Sequence, residues 1–173
     1  MNYATIKFND IANGLGIRTS LFVSGCTHCC KGCFNQEAWN FNYGAPFDKA
    51  VQDKIIASLK NEFCDGLSLL GGEPFEPSNQ TALLPFLKRV KKEVKDKTIW
   101  CYTGYLFDEE LLGESRAKTE NTLEMLSYID VLVDGRFIEE QKNISLKFKG
   151  SENQRIIDVQ KSLKKGEVVL FDV

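Results

Sequence analysis

Four of the six cysteines crowd into residues 26 to 33 of the stretch Ser24-Gly25-Cys26-Thr27-His28-Cys29-Cys30-Lys31-Gly32-Cys33-Phe34-Asn35-Gln36. With Cys29 set aside the spacing is C-x3-C-x2-C, three thiolates in what should be an exposed loop after a strand. Three ligands are one short of the closed shell of a structural zinc site or an electron-transfer cluster, whereas a site built for chemistry leaves a position open. The pattern therefore reads as a [4Fe-4S] cluster held by Cys26, Cys30 and Cys33, with its fourth iron left to a small molecule.

Two other readings use the same residues. Cys26-x2-Cys29 and Cys30-x2-Cys33 are two C-x2-C hooks, but zinc ribbons separate such hooks by a long loop and here they are contiguous. Cys64 or Cys101 could close the cluster as a fourth ligand. Both fall beside or inside apolar segments, where a cysteine usually serves as a small hydrophobe. His28 is either a close neighbour of the ligands or an exposed side chain.

A second special loop is Gly71-Gly72-Glu73-Pro74. Gly-Gly after a strand is first of all a tight turn. Beside an open cluster it also lets a ligand approach the main chain, whose carbonyls can accept hydrogen bonds from an ammonium group. Asp134 and Arg136 end another strand on the same expected rim. They could bind a ribose, an amino-acid carboxylate or each other, or form a plain surface ion pair.

These loops need elements to hold them. Arg18–Ser24, Gly66–Leu70, Thr98–Tyr102 and Ile129–Val133 read as short apolar strands. Val51, Ile55, Ile56, Leu59 and Phe63 recur at helical spacing behind Asp48, a plausible cap. Leu83, Leu87, Val90 and Val94 make a second stripe, with Pro85 placed in its early turns. Residues 108–128 read as two helical pieces interrupted by Gly113 and the polar segment 114–119, which looks like an insertion without chemistry. Strands alternating with helices argue for an α/β fold with a parallel sheet. Four units are too few for a complete eight-stranded barrel, so an open sheet or a partial (β/α) barrel is expected. No linker or repeat divides residues 1–173, which read as one domain. The tail from about 161 is either an edge strand over 167–173 or a loose end.

Composition excludes more than it proves. With 22 basic and 24 acidic side chains and a net charge of −2, no strong field favours nucleic acid or an anionic membrane. The N-terminal residues lack signal-peptide character and no apolar run nears the span of a bilayer, which points to the cytoplasm. Cysteines this dense in a reducing compartment suit metal or redox chemistry better than disulfides.

Cys26-x3-Cys30-x2-Cys33 followed by Gly-Gly-Glu-Pro at the next strand end resembles the radical S-adenosylmethionine (SAM) enzymes. Phe22-Val-Ser-Gly-Cys26, Lys31-Gly-Cys-Phe-Asn35, Trp100-x-Tyr-Thr-Gly-Tyr105, Asp130-Val-Leu-Val-Asp-Gly-Arg-Phe137 and Phe148-Lys-Gly-Ser-x-Asn-Gln-Arg-Ile-Ile-Asp158 narrow the resemblance. They are similar to the activating proteins of anaerobic (class III) ribonucleoside-triphosphate reductases, over about residues 2–158. That resemblance implies a radical SAM fold, a [4Fe-4S] cluster and SAM. The SAM amino and carboxylate groups would chelate the iron left free by Cys26, Cys30 and Cys33. One electron, from a donor such as flavodoxin or ferredoxin, would cleave the sulfonium bond to methionine and a 5'-deoxyadenosyl radical. That radical would take a hydrogen from a glycine of the reductase. By the same resemblance Gly72, within Gly71-Gly72-Glu73, would meet the SAM ammonium. Gly32, Cys33 and Phe34 would line the adenosyl side, and Thr103, Asp134 and Arg136 the pocket. Gly32 stands where many radical SAM enzymes carry an aromatic residue, and Cys29 is an extra thiol. The alternatives are another small radical SAM enzyme, such as a 7-carboxy-7-deazaguanine synthase, and a non-catalytic iron-sulfur or zinc module.

Overall fold

The computed structural model describes residues 1–173. Seven strands form one open sheet: β1 (Asn2–Asp10), β2 (Arg18–Val23), β3 (Ala45–Pro46), β4 (Gly66–Gly71), β5 (Thr98–Tyr102), β6 (Val131–Asp134) and β7 (Arg155–Asp158). Their order is β3-β1-β2-β4-β5-β6-β7. The four strands read from the sequence form the parallel centre, β2 on β4, β4 on β5 and β5 on β6. β1, β3 and β7 add antiparallel edges. Of the two architectures expected, the sheet takes the open one. Its three edge strands carried no strand signal.

Four helices complete the order, α1 (Lys49–Leu59), α2 (Pro77–Glu93), α3 (Thr122–Tyr128) and α4 (Val159–Lys165). Asp48 caps α1, accepting the Val51 N–H at 3.0 Å. Val51, Ile55, Ile56 and Leu59 are its buried face. Phe63 continues the spacing but lies past the helix end and is 76% exposed, so the stripe stops at Leu59. α2 starts with Pro77, where a missing N–H costs nothing. Pro85 consequently sits inside the helix rather than in its early turns.

Leu21, Leu67, Leu69, Ile99 and Leu132 on one face of the sheet join the buried apolar residues of all four helices in the main core. A period of two sends Trp100, Val131, Val133 and Ile156 to the other face, where Phe148 and Phe171 cover them. Both rings meet Trp100 edge-on, at 5.3 and 5.7 Å. Residues 107–111 form a single π-turn, and α3 is the second helical piece of that crossover. The tail is an edge contact of minimal length: after α4, Leu170 bridges Ile157 and the Phe171 N–H bonds Ile156 O at 2.9 Å. No helix is long and apolar enough to cross a membrane.

Parallel β2, β4, β5 and β6 deliver their following loops to one rim. Those loops are residues 24–35, 71–76, 103–106 and 135–141. A cavity of about 390 Å³ beside Arg18 and Trp100 opens at the opposite ends of the strands and contains none of these loop residues. Arg18 beneath it is fully buried and donates to Ser68 Oγ, Leu15 O, Thr98 Oγ1, Leu67 O and Thr98 O. All its donors are spent, so it fastens three segments and offers nothing to an anionic ligand.

Candidate functional site

The cysteine loop leaves β2 at Ser24 and is pinned at its root, with Gly25 N–H on Ala38 O at 2.7 Å and Cys26 N–H on Trp39 O at 3.2 Å. Cys26, Cys30 and Cys33 are half-buried, Cys29 is exposed, and all four are free thiols. Cys29 adopts a left-handed backbone with φ of 49°. The Cys33 N–H closes a turn onto Cys30 O at 3.2 Å, and the Cys33 sulfur accepts the Asn35 N–H at 3.4 Å. Burial pushes the Cys26 thiol up to about 12 and the Cys30 thiol upward as well. The Phe137 backbone and, less strongly, the charge of Arg136 pull Cys30 the other way.

Cys64 and Cys101 belong to the main core. Cys64 donates to Gly66 O at the far end of β4, and burial holds the Cys101 thiol well above its ordinary range. Neither shares the rim of the cysteine loop, so the closed-cluster reading loses its fourth ligand.

The donor set suits an iron-sulfur cluster. Three half-buried thiols on one short loop, two of them pushed up by burial, need a strongly positive partner to become thiolates, which bound iron provides.

The Gly71-Gly72-Glu73 turn lies directly against the root of the cysteine loop. Gly72 N–H bonds Val23 O at 2.7 Å and Glu73 N–H bonds Gly25 O at 2.8 Å. A Cβ on Gly72 would stand 2.5 Å from Gly25 O, which is backbone and cannot step aside. The carbonyl of Gly72 accepts no hydrogen bond from the chain. It is an open acceptor beside the root of the cysteine loop.

Glu73 has a different part. It is 1% exposed, and its carboxylate accepts the N–H of Phe75 (2.8 Å), the hydroxyl of Thr103 (2.9 Å) and the N–H of Gly104 (2.8 Å). His28 Nε2 meets the same carboxylate at 2.9 Å. Glu73 therefore ties the loops after β2, β4 and β5 together, and both it and Thr103 spend their side chains on one another. Asp134 is also fully buried. Arg155, not Arg136, is its partner, with Nε to Oδ1 at 2.9 Å, while the Phe107 N–H takes Oδ2 at 2.8 Å. Arg136 remains more than half exposed and approaches only Glu110, at 3.9 Å. The pairing of Asp134 with Arg136 is thus replaced by a pairing 21 residues further on. Gly32 lies against Glu139, and Phe34 is 85% exposed at the mouth of the loop.

Sequence reasoning overlooked Thr27, Glu76 and Arg116. Glu76 begins α2 without capping it, because its carboxylate accepts the N–H and hydroxyl of Thr27 at 2.8 and 2.5 Å. Arg116, inside the supposed insertion, pairs with the same carboxylate at 2.8 Å. The segment around it is packed, with Ala117 fully buried. Two acids three residues apart at a helix entrance were the available signal.

A family model described as a 4Fe-4S single cluster domain matches residues 12–157. The chain is 50% identical over 158 residues to the anaerobic ribonucleoside-triphosphate reductase-activating protein of Haemophilus influenzae, covering 90% of this chain and 97% of that one. Its counterpart in Escherichia coli K12 is 41% identical over 156 residues, covering 89% and 96%. The protein of the same name from Enterobacteria phage T4 is 37% identical over 158 residues, covering 90% and 93%.

Proposed function

The chain belongs to the family of anaerobic ribonucleoside-triphosphate reductase-activating proteins, and on that premise we propose that it generates a glycyl radical on such a reductase, using a [4Fe-4S] cluster and SAM. The observation that carries the proposal is the meeting, on one rim, of a three-thiol loop with the open carbonyl of Gly72. Cys26, Cys30 and Cys33 would hold the cluster, leaving one iron for the amino-acid end of SAM. When bound, the cluster supplies the electron that cleaves the sulfonium bond of SAM, from which the glycyl radical derives.

The chain's own residues bind and orient. The Gly72 carbonyl accepts the SAM ammonium at a place where only a glycine lets a ligand this close. Gly32, Cys33 and Phe34 border the adenosyl side, and Phe34 at the mouth is placed to be covered by the protein substrate. Arg136, more than half exposed and paired only loosely with Glu110 at 3.9 Å, is available to a carboxylate or ribose. Thr103, Asp134 and Glu73 act as wall: their polar groups are spent internally, so they shape the pocket. The protein partner is the reductase and the electron donor flavodoxin- or ferredoxin-like; the net charge of −2 sets up no strong field toward nucleic acid or an anionic membrane.

The test is electron spin resonance of the reductase after anaerobic incubation with the reconstituted protein, SAM and a reductant. A glycyl-radical doublet requiring both this protein and SAM is expected, with 5'-deoxyadenosine formed alongside. Deoxyadenosine without the doublet would point to a different substrate. Neither signal would reduce the chain to a non-catalytic iron-sulfur module.

A further inference from the structure

The Gly72 turn and the root of the cysteine loop are bridged by one side chain that belongs to neither. Asn79 lies near the start of α2 and is 1% exposed. Its Nδ2 donates to Ser24 O at 3.0 Å and to Glu73 O at 2.9 Å. Both partners are carbonyls, which only accept, so the amide must present its NH2 group to them, and both of its hydrogens are used. Glu73 O also takes the Glu76 N–H at 3.1 Å, which fills both of its lone pairs. Ser24 O has no other donor than Asn79. On either side of it, Val23 O is taken by the Gly72 N–H and Gly25 O by the Glu73 N–H. Every carbonyl from Val23 to Gly25 therefore accepts a bond from the chain, as does that of Glu73. At this junction Gly72 O alone is left over.

Resting on the reading of Gly72 as the ammonium site, we infer that Asn79 is the positioning residue of that site: it occupies the neighbouring acceptors Ser24 O and Glu73 O and fixes the turn between them, leaving Gly72 O as the one carbonyl open to an ammonium. A free carbonyl beside Gly72 would offer the amino group a second place to bind, and a turn able to rotate would have to be ordered each time a ligand arrived. Asn79 removes both alternatives with one amide. Main-chain bonds hold the N–H side of the turn, through Gly72 and Glu73. The carbonyl side is held from α2, by Asn79 and the Glu76 N–H on Glu73 O. That helix is a rigid support, with Leu83, Phe86 and Leu87 fully buried in the main core, so the bracket does not depend on the loops it joins.

The experiment is equilibrium binding of two probes, SAM and its analogue lacking the α-amino group, to the anaerobically reconstituted protein, with iron content measured alongside. Native protein is compared with Asn79→Leu, which keeps the branching at Cγ and has no donor. Native protein should bind SAM more tightly than the analogue. In Asn79→Leu the affinity for SAM should fall about tenfold or more, while that for the analogue, which has no ammonium to place, should change by less than about twofold. A side chain that only supports the fold would weaken both probes in equal proportion or leave both unchanged, and either result overturns the inference. If Asn79→Leu takes up no cluster, the smaller Asn79→Ala takes its place and is read in the same way. The Gly72 reading is tested separately by the native protein: equal affinity for the two probes there removes that reading and the inference together. A native preference for SAM that persists undiminished in the Asn79 variant overturns the inference alone.

Discussion

Thr27 and Glu76 are bonded twice, through the N–H at 2.8 Å and the hydroxyl at 2.5 Å, although one sits in the cysteine loop and the other opens α2. The carboxylate is 1% exposed and its outer oxygen takes Arg116 at 2.8 Å. With His28 on Glu73, both residues directly after Cys26 are held by buried acids. A loop without regular structure is thus fixed from beneath.

Removing Glu76 should therefore cost more than removing Arg116. Glu76→Ala removes both bonds from Thr27, at about 0.5–1.5 kcal/mol each, with water taking up the donors of the exposed threonine. At about 2–4 °C per kcal/mol for a chain of this size, the cluster-free protein should melt several degrees lower. Arg116→Ala removes only a half-exposed partner, worth about 1 kcal/mol or less. Thermal melts of both variants, with iron content after reconstitution, check the order. Equal losses would show that Arg116, rather than the Thr27 bonds, holds the carboxylate in place.

Arg155 bridges Asp134 and Asp108, and the bond to Arg155 holds the Asp108 carboxyl below its ordinary value of 3.8. A depressed folded value stabilises the fold above the unfolded value and stops doing so as pH falls through the folded one. Asp108 is partly exposed, so the effect is screened and stays at about 1 kcal/mol or less. Asp108→Asn should melt slightly lower than native at pH 7 and at pH 5, with the gap closing below pH 3.8. A gap that persists in acid would mean that the charge is not its source.

Why some of this was legible and some not follows from particular residues. The cysteine spacing and the Gly-Gly turn are local, so their chemistry could be read along the chain. The parallel strands are buried on both faces and read as apolar runs. β1 escaped because Thr5, Lys7, Phe8 and Asn9 are exposed and give no clear alternation. β7 is only four residues long. The anchors of the site were out of reach for another reason: His28 to Glu73 spans 45 residues and Thr27 to Glu76 spans 49, and nothing in either local stretch announces its partner. The same holds for Asp134: Arg136, two residues on, was one of several mates the sequence offered, and Arg155, 21 residues on, takes the place.

Gly72→Ala probes the open carbonyl. Its Cβ would meet Gly25 O at 2.5 Å and Ala38 O at 3.0 Å. Gly25 O is already held by the Glu73 N–H, so the turn must shift as a unit and carry the Gly72 carbonyl with it. SAM binding to the reconstituted protein should weaken about tenfold or more, equivalent to about 1.4 kcal/mol, with cluster content retained. Equilibrium binding of SAM and an iron assay separate the two. Native affinity would remove the carbonyl from the ammonium site.

The assignment of ligands within the cysteine loop makes the sharpest demand. Cys26, Cys30 and Cys33 are half-buried, whereas Cys29 is exposed on a left-handed backbone that turns the chain between its neighbours. Cys26→Ala, Cys30→Ala and Cys33→Ala should each abolish 5'-deoxyadenosine formation, because a cluster deprived of one of three thiolates has no spare donor: Cys64 and Cys101 lie in the core. Cys29→Ala should form deoxyadenosine at near-native rate. Cys30 and Cys29 are adjacent, so the decisive comparison is between their two single variants under identical reconstitution. Activity lost in Cys29→Ala and kept in Cys30→Ala would move the ligand set by one residue, leave C-x2-C-x3-C as the working spacing, and require the loop to turn over relative to its anchors at Thr27 and His28.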